Sequence, residues 1–148
     1  MIYLDTSFIA PLVIAEATSD AVEAVVLKLK PGELATSLWT QVELASMVSR
    51  KVRMGELSAS EAEAVRRELR RVLVESFELI QPVPADFLGA VQYLELRNTG
   101  LRSGDALHLS IAANHGAKKI LTLDEGLLRA GKILKLPVSR GIGKKRYD

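Results

Sequence analysis

The chain has 148 residues and a mass of 16.2 kDa, with 48% apolar and 26% charged residues, which is typical of one globular domain with a buried core. It has no cysteine, which excludes disulfides, zinc sites built on thiolates and a cysteine nucleophile. A formal net charge of +2 and a pI near 9.0 permit a polyanionic partner without requiring one.

Strands and helices alternate along the first half of the chain. Apolar residues 2–4 predict a strand that stops at the polar stretch 5–7. Helical spacing of apolar residues over 22–29 predicts a helix that ends at Pro31 and Gly32, and residues 34–36 predict a second strand. A longer helix then begins near residue 38 and ends near Gly55.

The second half continues the alternation. Two overlapping capping boxes, Ser58 with Glu61 and Ser60 with Glu63, predict the start of another helix. Residues 79–83 predict a strand, which two prolines would place at a sheet edge. Helices are expected over 87–94 and 103–116, and residues 119–123 predict a further strand.

This order favours a single α/β domain over residues 1–148, with a short parallel sheet and more helix than strand. Basic residues cluster at Arg66, Arg67, Arg70 and Arg71 and in a C-terminal tail over 140–148, which contains Lys144, Lys145 and Arg146. Each cluster is either a solvated surface or a contact for RNA. No run is apolar enough to span a bilayer and no signal peptide is evident, so we expect a cytoplasmic protein with no membrane attachment.

Four acidic residues mark the points where predicted strands end or helices begin: Asp5, Glu43, Asp105 and Asp124. Because parallel strands all end on one side of a sheet, Asp5 and Asp124 should share an edge. Two carboxylates about 5 Å apart repel by roughly 3 kcal/mol at an effective dielectric of about 20. Such a group needs bound protons or a divalent cation, and oxygen ligands alone favour Mg²⁺ or Mn²⁺.

Each acid also has a purely structural interpretation. Asp5 and Asp124 are suited to cap helices, and Glu43 follows Thr40 at capping-box spacing. Asp105 lies in the first turn of a helix, where the helix dipole favours an anion. The joint pattern, rather than any one residue, carries the metal-site hypothesis.

Three stretches resemble the motifs of PIN-domain ribonucleases. Residues 2–7 (IYLDTS) resemble the first motif, residues 101–109 (LRSGDALHL) the third, and residues 121–124 (LTLD) the fourth. Glu43, in the helix after the second strand, fits the second motif. The match is in order over nearly the whole chain and is most similar to the small VapC-like toxins of type II toxin–antitoxin pairs.

The resemblance implies a three-layer α/β/α domain and an endoribonuclease that hydrolyses RNA with Mg²⁺ or Mn²⁺. It gives Asp5, Glu43, Asp105 and Asp124 the role of catalytic metal ligands, and Thr6, Ser7 and Thr122 a supporting role around them. It also implies water as the nucleophile, a product with a 5′-phosphate, a homodimer and a cognate antitoxin. Arg102, just before the third motif, is a candidate contact for the RNA substrate.

Other functions stay open at this point. An RNA-processing or DNA nuclease would use the same acids, and a non-catalytic module would bind RNA or protein without cutting. Phosphoryl transfer through Asp5 is disfavoured, because Ser7 stands where such enzymes usually carry a second aspartate. His108 is interpreted either as a base or ligand or, with more weight, as a structural histidine, and His115 as a cation at a helix C-terminus.

Overall fold

The computed structural model of the chain describes residues 1–143 and contains a parallel sheet of five strands. The predicted basic residues Lys144, Lys145 and Arg146 lie outside the described residues. The sheet order is β3-β2-β1-β4-β5, and every neighbouring pair is parallel. The strands are β1 (Ile2–Leu4), β2 (Leu34–Ser37), β3 (Glu78–Ile80), β4 (Lys119–Leu121) and β5 (Val138–Ser139).

Helices connect the strands and cover both faces of the sheet. They are α1 (Thr6–Ile9), α2 (Ser19–Val26), α3 (Leu38–Arg53), α4 (Ala59–Ser76), α5 (Pro84–Glu95), α6 (Ser103–Asn114) and α7 (Glu125–Ile133). A short 3-10 helix, Ala10–Leu12, follows α1. Within the described residues, no helix is long and apolar enough to cross a membrane.

Neighbouring side chains of a strand point to opposite faces, so the central strand β1 divides the core in two. Leu4 packs with apolar residues of α1 to α4, whereas Tyr3 packs with those of α5 to α7, and both are fully buried. The predicted three-layer α/β/α architecture is therefore confirmed.

Most predicted elements are present, with informative differences. The strand predicted over 79–83 stops at Ile80, because Pro82 has no backbone N–H to donate to a neighbouring strand. The strand predicted over 119–123 stops at Leu121, because Thr122 turns toward Asp5. The edge strand β5 was not predicted, since two residues carry no periodic signal.

Of the three predicted capping boxes, one is present and two are not. The Ser58–Glu61 capping box is present at the start of α4. The Ser60–Glu63 box was wrong, because Ser60 already lies inside that helix. The Thr40–Glu43 box is absent as well, because α3 begins earlier, at Leu38, and places Glu43 in its second turn.

Helices α5 and α6 pack closely enough to need a glycine between them. A Cβ atom on Gly89 would lie 2.3 Å from the Ser110 hydroxyl oxygen, so only glycine fits there without movement. Buried Asp86 joins the same helices by accepting hydrogen bonds from the Val83 backbone (2.9 Å) and the Asn114 amide (2.8 Å). His115 also contacts Asp86 at 3.1 Å. This packing fixes α6, which carries Asp105 and His108.

Candidate active site

A cavity of about 760 Å³ lies at the carboxyl edge of the sheet, where β1 and β4 end. Asp5, Glu43, Asp105 and Asp124 all line it, together with His108. These acids come from different parts of the chain, and the parallel topology brings them to one place.

Asp5 is the most buried of the four acids, with only 3% of its surface exposed. It caps α1, since its Oδ1 accepts hydrogen bonds from the Phe8 backbone N–H (3.1 Å) and the Ser7 hydroxyl (2.7 Å). Its Oδ2 accepts the Thr122 hydroxyl at 2.7 Å. Burial raises the pKa of Asp5, and these hydrogen bonds together with the charge of His108 oppose that rise.

Asp124 caps α7 in the same manner, because its Oδ1 accepts the Leu127 backbone N–H at 2.8 Å. The Thr122 hydroxyl accepts the Asp124 backbone N–H at 3.0 Å while it donates to Asp5. The Ser7 hydroxyl similarly accepts the Leu123 backbone N–H at 2.8 Å while it donates to Asp5. Two hydroxyl groups thus hold the ends of β1 and β4 in register around Asp5.

Glu43 is held by a second group of polar side chains. Its Oε2 accepts the Thr6 hydroxyl and lies 2.6 Å from His108 Nε2. The other ring nitrogen of His108, Nδ1, lies 2.8 Å from the Tyr3 hydroxyl, which donates to the Ser37 hydroxyl at 3.0 Å. Burial by itself would raise the pKa of Glu43, but hydrogen bonding and charge from His108, with Thr6, hold that pKa below its usual value.

His108 has the burial and polar contacts expected of a structural histidine, and a role as base or ligand stays a prediction. It is 2% exposed, lines the cavity and links the core tyrosine to a cavity carboxylate. Its position three residues after Asp105 on α6 is the sequence signal for this role, since that spacing puts both on one helix face.

Gly104 allows α6 to approach Glu43. A Cβ atom on Gly104 would lie 2.6 Å from Glu43 Oε1 and 3.4 Å from Trp39 Nε1. The indole N–H of Trp39 is buried beside Glu43 and lowers the pKa of its carboxyl group, although it has no partner with full hydrogen-bond geometry among residues 1–143. The missing side chain at residue 104 thus lets the first turn of α6 bring Asp105 to the cavity.

The pKa of Asp105 reflects both its burial and the negative charges around it. Its pKa is raised to about 6, first by burial and then by the negative charge of Asp124, with smaller contributions from Asp5 and Glu43. The charge of His108 lowers the pKa of Asp105 and so opposes these effects. The four carboxylates therefore lie within electrostatic reach of one another, and a positive charge in the cavity would relieve their repulsion.

The donor set suits a hard divalent cation, because it offers carboxylate oxygens and no thiolate. As the side chains stand, however, no three His, Asp or Glu residues among 1–143 are placed to hold one metal ion. The oxygens of Asp5 and Glu43 Oε2 instead accept hydrogen bonds from neighbours. Direct ligation of one ion by several of these residues thus requires the carboxylates to rotate. Without rotation, they would contact the ion through bridging water.

Two arginines of the cavity, Arg50 and Arg140, were not among the predicted site residues. Arg50 follows Glu43 by seven residues, two helical turns, and this spacing was the available signal. Arg140 follows the unpredicted strand β5. The predicted substrate contact Arg102 is exposed and precedes α6, and it does not line the cavity.

A family model for the PIN domain matches residues 2–133. The chain belongs to the PIN domain family. In this PIN domain Asp5 and Asp124 follow the ends of β1 and β4, whereas Glu43 and Asp105 lie on α3 and α6. No curated protein matches the sequence.

Solved structures share this fold. FitAcB from Neisseria gonorrhoeae has a TM-score of 0.77 at 18% identity, over 95% of this chain and 98% of that one. VapC20 from Mycobacterium tuberculosis, a toxin that cleaves the sarcin–ricin loop, has a TM-score of 0.70 at 18% identity, over 88% and 95%. VapBC-1 from nontypeable Haemophilus influenzae has a TM-score of 0.67 at 22% identity, over 94% and 97%.

Substituting Gly104→Ala should disturb the site while leaving the fold intact. The new methyl group would meet Glu43 Oε1 and displace that carboxylate from the cavity. We expect the variant to need about ten times more Mg²⁺ or Mn²⁺ than the wild type for the same increase in Tm. Gly143→Ala is the matched control, because its Cβ would meet nothing within 4 Å. Equal metal responses in the two variants would contradict this role of Gly104.

Asp105→Asn should make the metal-free protein more stable at neutral pH. The pKa of Asp105 is higher in the folded state than its ordinary 3.8, so the folded protein binds more protons between about pH 4 and pH 6. The free energy of unfolding therefore falls as the pH rises from about 4 to 6 and Asp105 loses its proton. It stays lower at higher pH. After a discount for partial exposure, removal of this charge at pH 7 should add about 1–2 kcal/mol to the free energy of unfolding.

Thermal unfolding in EDTA across pH 4 to 7.5 measures this effect. The wild type should lose stability between about pH 4 and 6, whereas the Asp105→Asn variant should change less over the same window. Asp20→Asn, at an exposed position in α2, provides the control for loss of one carboxylate. An Asp105→Asn protein no more stable than wild type at pH 7 would show that the carboxylates do not strain the site.

Proposed function

We propose that this PIN domain is an endoribonuclease that depends on Mg²⁺ or Mn²⁺ and forms the toxin of a toxin–antitoxin pair in the cytoplasm. The observation that carries the proposal is the convergence of Asp5, Glu43, Asp105 and Asp124 on one cavity of a PIN domain, where burial and then repulsion from Asp124 raise the pKa of Asp105. A binding module without catalysis has no evident use for this repulsion.

In this proposal the acids Asp5, Glu43, Asp105 and Asp124 hold the divalent ion, directly or through water. When bound, such an ion activates water for attack on the scissile phosphodiester and neutralises charge that develops on the phosphate. Ser7 and Thr122 orient Asp5 by donating to its two oxygens, at 2.7 Å each. Thr6 donates to Oε2 of Glu43, and Nε2 of His108 contacts the same oxygen at 2.6 Å, so both orient that carboxylate.

An antitoxin partner is supported by the structural neighbours. Several were solved as complexes, including FitAB bound to a DNA fragment and VapBC2 from Rickettsia felis bound to a fragment of its promoter. Both share the fold of this chain, with TM-scores of 0.75 and 0.64. By analogy, we propose that a cognate antitoxin covers the acidic cavity and blocks RNA access.

Cleavage of labelled RNA tests the proposed activity. Purified protein, freed from any co-purifying partner, should cut a structured or single-stranded RNA with Mg²⁺ or Mn²⁺ and not in EDTA. Asp5→Asn should lower the rate by at least about 10³-fold while the far-UV circular dichroism stays native. Products should carry a 5′-phosphate, since water is the nucleophile.

Controls separate the alternative functions. Asp20→Asn removes an exposed carboxylate that does not line the cavity and should cut at the wild-type rate. Duplex DNA cut in preference to RNA would indicate a DNA nuclease. Wild-type activity in Asp5→Asn would refute the metal site, and no cutting together with no stabilisation by either metal would favour the non-catalytic module.

We also propose that the protein forms a homodimer through α5. This helix exposes an apolar stripe of Phe87, Val91 and Leu94, which are 52%, 49% and 41% exposed. Leu88 beside them is 65% exposed. A contiguous apolar surface of this kind is typical of an interface, and a second copy would bury it symmetrically.

Light scattering coupled to size-exclusion chromatography tests the dimer. Phe87→Glu should shift the mass from that of two chains to that of one, because burying a charge in the interface is unfavourable. Leu27→Glu, at an isolated residue that is 77% exposed, should leave the dimer intact. A wild-type protein with the mass of one chain at all concentrations would refute self-association.

A further inference from the structure

Two arginines line the acidic cavity but have no part in holding the carboxylates. Arg140 has a side chain that is 30% exposed, and its Nη1 pairs with Glu125 Oε1. Its Nε is buried and has no hydrogen-bond partner among residues 1–143. A guanidinium carries five N–H donors, and within the same residues Glu125 is the one acceptor that Arg140 contacts.

The backbone that carries Arg140 is held firmly against the core. The Thr122 backbone N–H donates to the Ser139 carbonyl at 3.1 Å, which ties β5 to the end of β4. Gly141 adopts a φ of +72°, and a Cβ there would lie 3.0 Å from Leu121 and 3.1 Å from Phe8. This turn therefore accepts only a residue without a side chain, and it fixes Arg140 at the rim of the cavity.

Arg50 lines the cavity from the opposite flank, on α3. Seven residues separate it from Glu43, which places it about 10 Å further along the helix axis. The neighbouring cations are engaged elsewhere, since Lys51 pairs with Glu56 at 2.8 Å and Arg53 donates to Ser49 at 2.9 Å. Within residues 1–143, Arg50 makes no ion pair or side-chain hydrogen bond.

Strand order places the elements that carry the two arginines on opposite sides of the acids. Arg50 lies on the helix that follows β2, and Arg140 follows β5, while β1 and β4 lie between them. The acids Asp5 and Asp124 follow β1 and β4, so they lie between the two arginines in the order of the sheet. The cavity thus has a cation at each end and a candidate metal site between them.

We propose that Arg50 and Arg140 are positioning residues that bind the RNA phosphates on either side of the scissile one. This inference rests on the proposed function. Two separated guanidinium groups suit a polymer that carries a negative charge at every repeat, and their planar fork matches the geometry of phosphate oxygens. Arg140 lines the cavity with a partly exposed guanidinium that, among residues 1–143, has acceptors for few of its donors, and this points to a ligand rather than to a structural ion pair alone.

Steady-state cleavage of a labelled RNA at several salt concentrations tests the inference. Arg50→Gln and Arg140→Gln should each raise KM by about 5- to 10-fold with kcat nearly unchanged, because they hold substrate away from the reacting atoms. Each should also reduce the salt dependence of log(kcat/KM) by about 0.7, the value for one phosphate contact on a single strand. Arg50→Lys and Arg140→Lys should restore the salt dependence.

Matched controls exclude structural explanations. Arg53→Gln removes the same charge from the same helix at a residue that does not line the cavity, and it should behave as wild type. Glu125→Gln frees Arg140 from its ion pair and should leave KM equal or lower. A raised KM in Glu125→Gln would show that Arg140 acts through that pair, which would overturn its assignment.

The two proposals fail in different ways. If wild type cuts RNA and both glutamine variants keep its KM and salt dependence, the arginine assignment is overturned and the nuclease stands. If wild type cuts no RNA, the nuclease fails, and equilibrium binding of a labelled single-stranded RNA to Asp5→Asn protein, with and without the arginine substitutions, decides the assignment. Variants that bind RNA normally but lose affinity for a protein antitoxin would also overturn it.

Discussion

Asp5, Glu43, Asp105 and Asp124 line one partly buried cavity, and their mutual repulsion has to be offset by the surrounding protein. Two carboxylates about 5 Å apart repel by roughly 3 kcal/mol at an effective dielectric of about 20. The protein meets it in several ways: hydroxyl donors and a helix start at Asp5, a helix start at Asp124, a histidine at Glu43 and a raised pKa at Asp105. These arrangements together explain why so many polar side chains are buried at one edge of a small domain.

The parallel sheet brings these acids together in a small domain. Strands β1 and β4 are adjacent, so Asp5 and Asp124 follow neighbouring strand ends although they are far apart in sequence. Each then begins a helix on which its own side chain is the cap. Glu43 and Asp105 arrive differently, from the sides of α3 and α6, which is why their positions depend on Gly104 and His108.

Sequence reasoning captured the features that are local. Strand ends, helix caps and capping-box spacing lie within a few residues of one another, so Asp5, Asp124 and the Ser58 cap were predictable from pattern and chemistry. Contacts between distant residues were not. The His108–Tyr3 contact joins residues 105 positions apart, and the approach of Gly104 to Glu43 depends on how two helices pack.

The basic residues illustrate the same limit. Arg71 pairs with Glu68 and Glu75, and Arg66 and Arg70 lie near Glu63, so much of the predicted basic group on α4 is a solvated face with its own counterions. Arg140, by contrast, belonged to a predicted tail and yet lines the cavity. Its position depends on a two-residue strand and a glycine turn, neither of which leaves a periodic pattern in sequence.

The hydrogen bonds of Asp5 have an evolutionary consequence. The same carboxylate caps α1, accepts the Thr122 hydroxyl from the end of β4 and occupies the centre of the candidate site. A lineage that discards the chemistry cannot replace this residue without also weakening a helix start and a strand junction. The side chain of Asp105 makes no hydrogen bond within residues 1–143. Descendants of this domain that lose activity should therefore keep Asp5 longer than Asp105.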